Sequence, residues 1–405
     1  MNYKRLLRFN ILLVFILFSG CSDKMEITED LIDIYQVDTS FKRVGYLPQY
    51  RFYLADKIEF KKVNYLMLAF GNFNKDGSFS FNGNADIQSI VSKIKESNIK
   101  IMLSIGGGGF SDEKENIWVD HLSEKKRTGS IKAMMDYIEK YNLDGIDVDL
   151  EGALISKLGS NYNTFVSELK DHLHAKGKAI TAALPSTRSR NNITQETLES
   201  FDFINVMIYD ETGPWNPSKP GQHSSYNLAE RSLNFWVNTK GIRKEKIILG
   251  MPFYGHNFDP SNIESLTFSD IIKEKPEYAY LNQKDEIYYN GIHMVAHKSQ
   301  LALKKAGGIM IWELGQDDFS ALSLLKSVDQ SLVAGDCVND SVGTYYLDND
   351  QDGFGDIYNP FQACNQPSGY EISSSDCNDS NAAIYPGATE IIDNADNDCD
   401  GDIDE

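Results

Sequence analysis

Between Val44 and about Val333, short apolar runs alternate with segments whose apolar residues recur every three to four positions. The runs span 44–47, 65–70, 99–105, 145–150, 179–184, 203–209, 247–253 and 308–312. Near-continuous apolar runs of this length read as strands covered on both faces. In the segments between them, Ile131, Met134, Met135, Ile138 and Tyr141 fall on one helical face, as do Phe165, Val166, Leu169 and Leu173. Eight strands alternating with helices predict an α/β chain folded as a (β/α)8 TIM barrel rather than an open doubly wound sheet. A dinucleotide-binding sheet would need a GxGxxG turn opening a helix. The glycine run at 106–109 has neither that spacing nor a helix start after it.

In such barrels chemistry sits at the C-terminal ends of the strands. Polar and aromatic residues gather there: Ser104, the stretch 147–151, Tyr209, Asp210, Trp312 and Glu313. The fourth strand reads Asp144-Gly145-Ile146-Asp147-Val148-Asp149-Leu150-Glu151. Side chains alternate along a strand, so Asp147, Asp149 and Glu151 share one face, with Gly145 leaving room beside them. Ile146, Val148 and Leu150 take the other face, and Asp144 falls with them as peripheral support. Carboxylates stacked this closely repel, and burial raises their pKa further, so at least one keeps its proton near neutral pH. A protonated carboxyl is what a general acid requires. Acidic rows also bind Mg²⁺ or Ca²⁺, but no His lies nearby in sequence to complete a transition-metal set. A solvated loop would not interleave Ile, Val and Leu.

The fourth strand resembles the DxxDxDxE signature of glycoside hydrolase family 18, the chitinase and endo-β-N-acetylglucosaminidase family. The segment Ser104-Ile105-Gly106-Gly107 resembles that family's SxGG strand, and Met207-Ile208-Tyr209-Asp210 its MxYD strand. Gly250-Met251-Pro252-Phe253-Tyr254-Gly255 resembles its seventh strand, and Trp312 ends the eighth. The resemblance implies that Glu151 protonates the glycosidic oxygen while the substrate's own 2-acetamido carbonyl attacks the anomeric carbon. This route is an exception to the two-carboxylate rule and needs no cofactor. It further implies that Asp149 orients the acetamido N–H, Asp147 shares a proton with Asp149, and Tyr209 hydrogen-bonds the acetamido oxygen. Asp210, Met207, Gly107 and Trp312 would contact the sugar, Trp312 as its apolar floor. Tyr46, Phe70 and Trp215 are candidates for sugar stacking or, equally, for core packing. Met207 fits chitinases better than the Gln often found there in enzymes that cut N-glycan cores. The alternative activity is that of an endo-β-N-acetylglucosaminidase on glycoproteins. From another class, a glycan-binding barrel without catalysis stays open, although such barrels usually lose the acid. Only about 50 residues separate Tyr254 from the eighth strand, too few for the large α+β insertion of many chitinases, so a shallow cleft is expected.

The two ends of the chain change the picture. Lys4, Arg5 and Arg8 precede an apolar run at 11–18 that is too short to span a bilayer. Phe18-Ser19-Gly20-Cys21 resembles a bacterial lipobox, with Cys21 as lipid acceptor and membrane anchor; a plain secretory signal is the alternative. The formal net charge is −20, yet residues 336–405 hold 17 Asp or Glu and no Lys or Arg, which leaves −3 for the rest. Neither part has the basic patch of a nucleic-acid binder. Cys337, Cys364, Cys377 and Cys399 are an even set in an exported small module and predict two disulfides. Proximity in sequence favours Cys337 with Cys364 and Cys377 with Cys399. Asp348-Asn349-Asp350-Gln351-Asp352-Gly353 and Asp396-Asn397-Asp398-Cys399-Asp400-Gly401 repeat a DxDxDG pattern that offers alternate oxygens to a hard cation. Neither has the Glu an EF-hand needs at loop position 12. The tail resembles thrombospondin type 3-like calcium repeats, which implies structural Ca²⁺ on Asp348, Asp350, Asp352, Asp356, Asp396, Asp398 and Asp400. A disordered acidic tail is the alternative. The expected organisation is a lipoprotein signal peptide at 1–21, a tether at 22–41, the barrel at 42–333 and a calcium-binding module at 334–405.

Overall fold

The computed structural model describes residues 35–82, 87–187, 193–337 and 341–404. Cys21, the signal segment and the first part of the tether lie outside the described residues. Eight parallel strands close on themselves: β1 Lys42–Pro48, β2 Tyr65–Phe73, β3 Lys100–Gly107, β4 Gly145–Leu150, β5 Ala179–Pro185, β6 Phe203–Met207, β7 Ile247–Pro252 and β8 Gly308–Trp312. Each pairs with its neighbour in chain order, and β1 pairs with both β2 and β8, which completes the barrel. All eight expected strands are present.

The alternation rule sorts the side chains. Leu66, Leu68, Ile101, Leu103, Ile146, Val148 and Leu150 face outward and bury against the helices. The helix Ser160–His174 meets them with Tyr162, Phe165, Val166, Leu169 and Leu173, the face expected from its 3.6-residue period. Inward, Val44, Met67, Met102, Ile248 and Met310 fill the axis. Above them lies a polar layer of Tyr46, Ser104, Asp147, Thr181 and Asn205, all buried. Register puts Ser104, Asp147 and Thr181 side by side on β3, β4 and β5. Gly145 is dictated by the neighbouring strand: a Cβ there would stand 2.1 Å from the Ala179 carbonyl oxygen.

Residues 35–41 seal the N-terminal end of the barrel. The Tyr35 hydroxyl donates to Asp202 Oδ2 at 2.7 Å, and Tyr65 donates to Asp38 Oδ2 at 2.8 Å. Buried Lys42 donates to the Asp38 and Ser40 carbonyls. These contacts tie residues 35–41 to the starts of β1 and β2 and to Asp202, just before β6.

Between β7 and β8 the chain builds a small four-stranded antiparallel sheet from Tyr254–Asn257, Glu264–Thr267, Gln283–Lys284 and Ile287–Tyr288. This is a short insert of the size the sequence allows. After the helix Leu324–Ala334, a three-stranded antiparallel sheet (Gly343–Leu347, Pro360–Ala363, Tyr370–Glu371) packs on the outside of the barrel. Tyr280 donates to the Ile357 carbonyl at 2.5 Å, and Thr344 Oγ1 meets His293 Nδ1 at 2.8 Å. Disulfides join Cys337 to Cys364 and Cys377 to Cys399, the pairing expected from proximity.

Candidate active site

The carboxylate row opens upward along β4 as its parity requires. Asp147, at the bottom, is fully buried and receives four hydrogen bonds. Ser104 Oγ and the Tyr46 hydroxyl donate to Oδ2 at 2.7 and 2.8 Å; Thr181 Oγ1 and Asn205 Nδ2 donate to Oδ1 at 2.7 and 3.2 Å. Burial raises its pKa, and the four donors work against that rise. Every donor is neutral, so the carboxylate is held by dipoles alone. Both Asp147 oxygens are engaged by these donors, and no hydrogen bond joins Asp147 to Asp149 among the described residues. Tyr46 is 1% exposed with its hydroxyl on Asp147, and it also lines the cleft.

Asp149, one step up, is hydrogen-bonded to Glu151. Its Oδ1 is buried with no partner among the described residues. Burial, then the charges of Glu151 and Asp147, push its pKa well up. Burial and the Asp210 charge raise Glu151 to about 7, against a lowering hydrogen bond from Asp149. The pair therefore holds at least one proton at neutral pH.

Glu151 stands at the mouth of a cleft of about 510 Å³ lined by Phe70, Asp149, Met207, Tyr209, Asp210, Trp215 and Trp312, among others. It adjoins a second space of about 420 Å³ bounded by Pro185, Ser186, Thr187 and Glu211. Trp312 and Phe70 are stacked at 5.8 Å, 24° apart, as a continuous apolar floor. Trp215 is 62% exposed at the rim. Gly107, expected to contact sugar, instead makes way for Phe70: a Cβ would stand 2.8 Å from its ring. Gly108 and Gly109 line the cleft in its place, and a Cβ at Gly108 would press on Glu151 Oε1 at 2.8 Å. Among the described residues, the Tyr209 hydroxyl has Met310 Sδ, at 3.9 Å, as its partner.

Asp210 adopts a left-handed backbone (φ 61°) just past β6. Such conformations persist where surrounding contacts over-determine them. Here Oδ1 accepts from the Tyr254 hydroxyl at 2.7 Å and faces His256 Nε2 at 3.0 Å and His223 Nδ1 at 3.4 Å. Burial would raise its pKa, but the hydrogen bonds with His223, His256 and Tyr254 outweigh it and hold the carboxylate well below the usual range. Sequence reading missed both histidines. His223 lies in a loop without periodicity. His256 had a signal, because it follows Tyr254 by two on one strand and so shares its face.

In the acidic tail the carboxylates converge in sets that differ from the two DxDxDG loops. Asp348 and Asp350 converge with Asp379, Asp350 and Asp352 with Asp376, and Asp396 and Asp398 with Glu390. Buried oxygens of Asp350, Asp352 and Asp376 have no partner among the described residues, which fits a cation. Asp356 and Asp400 fall outside these groups. Asp356 caps its own turn by accepting from Tyr358 N, and Asp400 accepts from Asp402 N.

Residues 42–317 match glycosyl hydrolases family 18, and residues 376–405 match the "Putative metal-binding motif" family. Among solved structures, the family 18 chitinase ChiB from the chitin utilization locus of Flavobacterium johnsoniae is 38% identical with a TM-score of 0.69. That similarity covers 73% of this chain and 94% of that one. A chitinase from Bacteroides thetaiotaomicron is 28% identical with a TM-score of 0.64, covering 72% and 96%. Among curated relatives, "Probable chitinase 10" of Drosophila melanogaster is 23% identical; the match takes in 75% of this chain but spans only 16% of that longer protein. The family match takes in all eight barrel strands, and the carboxylate row stands where their ends converge. The chain belongs to glycosyl hydrolases family 18.

Proposed function

We propose that this chain hydrolyses β-1,4-linked N-acetylglucosamine polymers or oligomers, with Glu151 as general acid and the substrate's acetamido group as nucleophile. The observation that carries the reading is the pair of Asp149 and Glu151. One carboxyl holds a proton beneath an open cleft, and next to it a buried Asp149 oxygen lacks a donor. An acetamido N–H of the bound sugar would supply that donor, and in doing so would aim its carbonyl oxygen at the anomeric carbon. Glu151 then passes its proton to the glycosidic oxygen as the anomeric C–O bond breaks. The positive charge of the resulting oxazolinium is balanced by Asp149. Water, losing a proton to Glu151, opens the ring from the same face. The Tyr209 hydroxyl, held only by a weak 3.9 Å contact with Met310 Sδ among the described residues, can turn to the acetamido oxygen, and Trp312 with Phe70 offers the sugar an apolar face. The two chitinases of highest identity quoted above favour chitin over N-glycan cores.

The test is incubation of the purified protein with chitin oligomers and, separately, with a high-mannose glycoprotein. Release of N-acetylglucosamine oligomers with the β anomer first in proton NMR is expected. Cleavage of the glycoprotein alone would assign the endo-β-N-acetylglucosaminidase activity instead, and an α anomer appearing first would exclude the acetamido route.

We further propose structural Ca²⁺ on the acidic loops and a location outside the cytoplasm. Asp and Glu oxygens without imidazole or thiolate suit a hard cation, and two disulfides suit an oxidising compartment. Lipidation of Cys21 would hold the protein at a membrane. Mass spectrometry of the mature N-terminus tests that part: a diacylglyceryl-Cys21 species is expected, and an unmodified N-terminus elsewhere would refute the anchor.

A further inference from the structure

Asp210, His223 and His256 come from three separate segments: the end of β6, the loop before the helix Tyr226–Asn234, and the strand Tyr254–Asn257 of the insert. Candidate ligand atoms of all three lie within 4.8 Å of one another. Asp210 Oδ1 is 3.0 Å from His256 Nε2 and 3.4 Å from His223 Nδ1. Zinc bonds of about 2.0–2.2 Å in a tetrahedron put neighbouring ligand atoms about 3.4 Å apart. Two imidazoles and one carboxylate are a borderline-metal set, unlike the all-oxygen clusters of the tail.

The proton accounting also points to an ion. His256 is complete: Nε2 faces Asp210, and Nδ1 meets Ser265 Oγ at 2.9 Å. That second contact is the outer-shell hydrogen bond that orients a metal-bound imidazole. His223 is not complete. It is fully buried, and its Nε2 has no partner among the described residues. Its Nδ1 faces both the Asp210 backbone N–H, at 3.5 Å, and Asp210 Oδ1, at 3.4 Å. The N–H asks for a lone pair and the carboxylate asks for a proton, so one nitrogen cannot serve both. A cation lying between the ring and the carboxylate takes the Nδ1 lone pair and answers the carboxylate, giving up only the long 3.5 Å contact with the Asp210 N–H.

We propose that Asp210, His223 and His256 form a site for a zinc-class transition-metal dication, and that its occupancy blocks the cleft. The imidazoles are buried while the Asp210 side chain is 41% exposed, so the ion enters from the substrate side. Bound there, it takes Asp210 from the sugar and stands in the space the sugar needs. The surrounding groups are Tyr254, whose hydroxyl competes for Asp210 Oδ1 at 2.7 Å, and Trp215, whose ring meets His256 edge-on at 5.4 Å.

The test uses the full chain kept in excess CaCl2, so that the acidic loops are occupied by a hard cation. Titration with ZnCl2 in a calorimeter should show one strong site, and CoCl2 should give the intense visible bands of tetrahedral nitrogen–oxygen ligation. His256→Gln and His223→Asn should each weaken zinc binding at least about tenfold, as even outer-shell losses do. Asp210→Asn, at a half-exposed position, should do the same without disturbing packing. Asp396→Asn in the tail should not. Zinc should also inhibit hydrolysis, and chitin oligomers should weaken zinc binding in turn. The proposal is overturned if the calcium-loaded protein takes up no zinc, if uptake survives Asp210→Asn and both histidine substitutions, or if Asp396→Asn abolishes it.

Discussion

Asp149 is hydrogen-bonded to Glu151, whereas Asp147, two residues back on the same face of β4, is satisfied by neutral donors. The row is thus divided. Its lower carboxylate is part of the barrel's polar core, and its upper two form the proton-holding pair at the cleft.

Glu151→Gln keeps the shape of the side chain and removes the transferable proton. General acid catalysis contributes on the order of 10²–10⁴ in rate. Turnover of unactivated chitin oligomers should fall by at least that range while oligomer binding persists. A variant retaining more than about a tenth of the activity would sink the assignment.

The pH profile should carry the mark of that pair. An acid works only while protonated, and Glu151 is raised to about 7 by burial and by the Asp210 charge. Hydrolysis should therefore be full below that value and decline as pH rises through it. Asp210→Asn removes a negative charge, which eases ionisation of Glu151, so the declining limb of kcat/KM should move to lower pH. A limb that stays in place or moves upward would show that Asp210 does not set the acid.

Tyr46 and Tyr209 both border the cleft, yet they should separate stability from activity. Tyr46→Phe removes one donor from buried Asp147, and losing a hydrogen bond to a charged group costs about 1.5–3 kcal/mol. Urea unfolding should show that loss. Tyr209→Phe gives up only a 3.9 Å contact with Met310 Sδ. Its stability should stay within about 0.5 kcal/mol of the parent, while hydrolysis falls. Equal destabilisation by both changes would contradict the separate roles.

The strands and the carboxylate face were legible because they depend on local rules. Eight apolar runs marked the barrel, and a period of two placed Asp147, Asp149 and Glu151 together. What the sequence hid depends on contacts across the barrel mouth. Asp147 meets Tyr46, Thr181 and Asn205 from three other strands, and no spacing announces that its oxygens are filled. Gly107 read as a sugar contact because its neighbours form a motif, while its physical task is to make way for the Phe70 ring. The same limit applied in the tail. Each DxDxDG loop was visible, but Asp376, Asp379 and Glu390 reach those loops through the folding of the chain back on itself.

That folding back leads to a test of the calcium reading. Asp350 belongs to two clusters, one with Asp348 and Asp379 and one with Asp352 and Asp376. Burial, then the charges of Asp352 and Asp350, raise Asp376 to about 6. Seventeen acidic residues without a basic one oppose compaction unless counterions are bound. Calcium would neutralise the clusters and contribute to folding by mass action. Chelation with EDTA should therefore open the tail to proteases between the two disulfides and beyond, since the bridges tie Cys337 to Cys364 and Cys377 to Cys399 but leave the loops between them free to spread. Asp376→Asn should raise the calcium concentration needed for protection, whereas Asp356→Asn, outside the clusters, should not. Activity on soluble oligomers should survive chelation, because every group at the cleft lies before residue 336. An identical cleavage pattern with and without EDTA would mean that the tail holds no structural calcium. Loss of hydrolysis on chelation would place a required metal in the barrel instead.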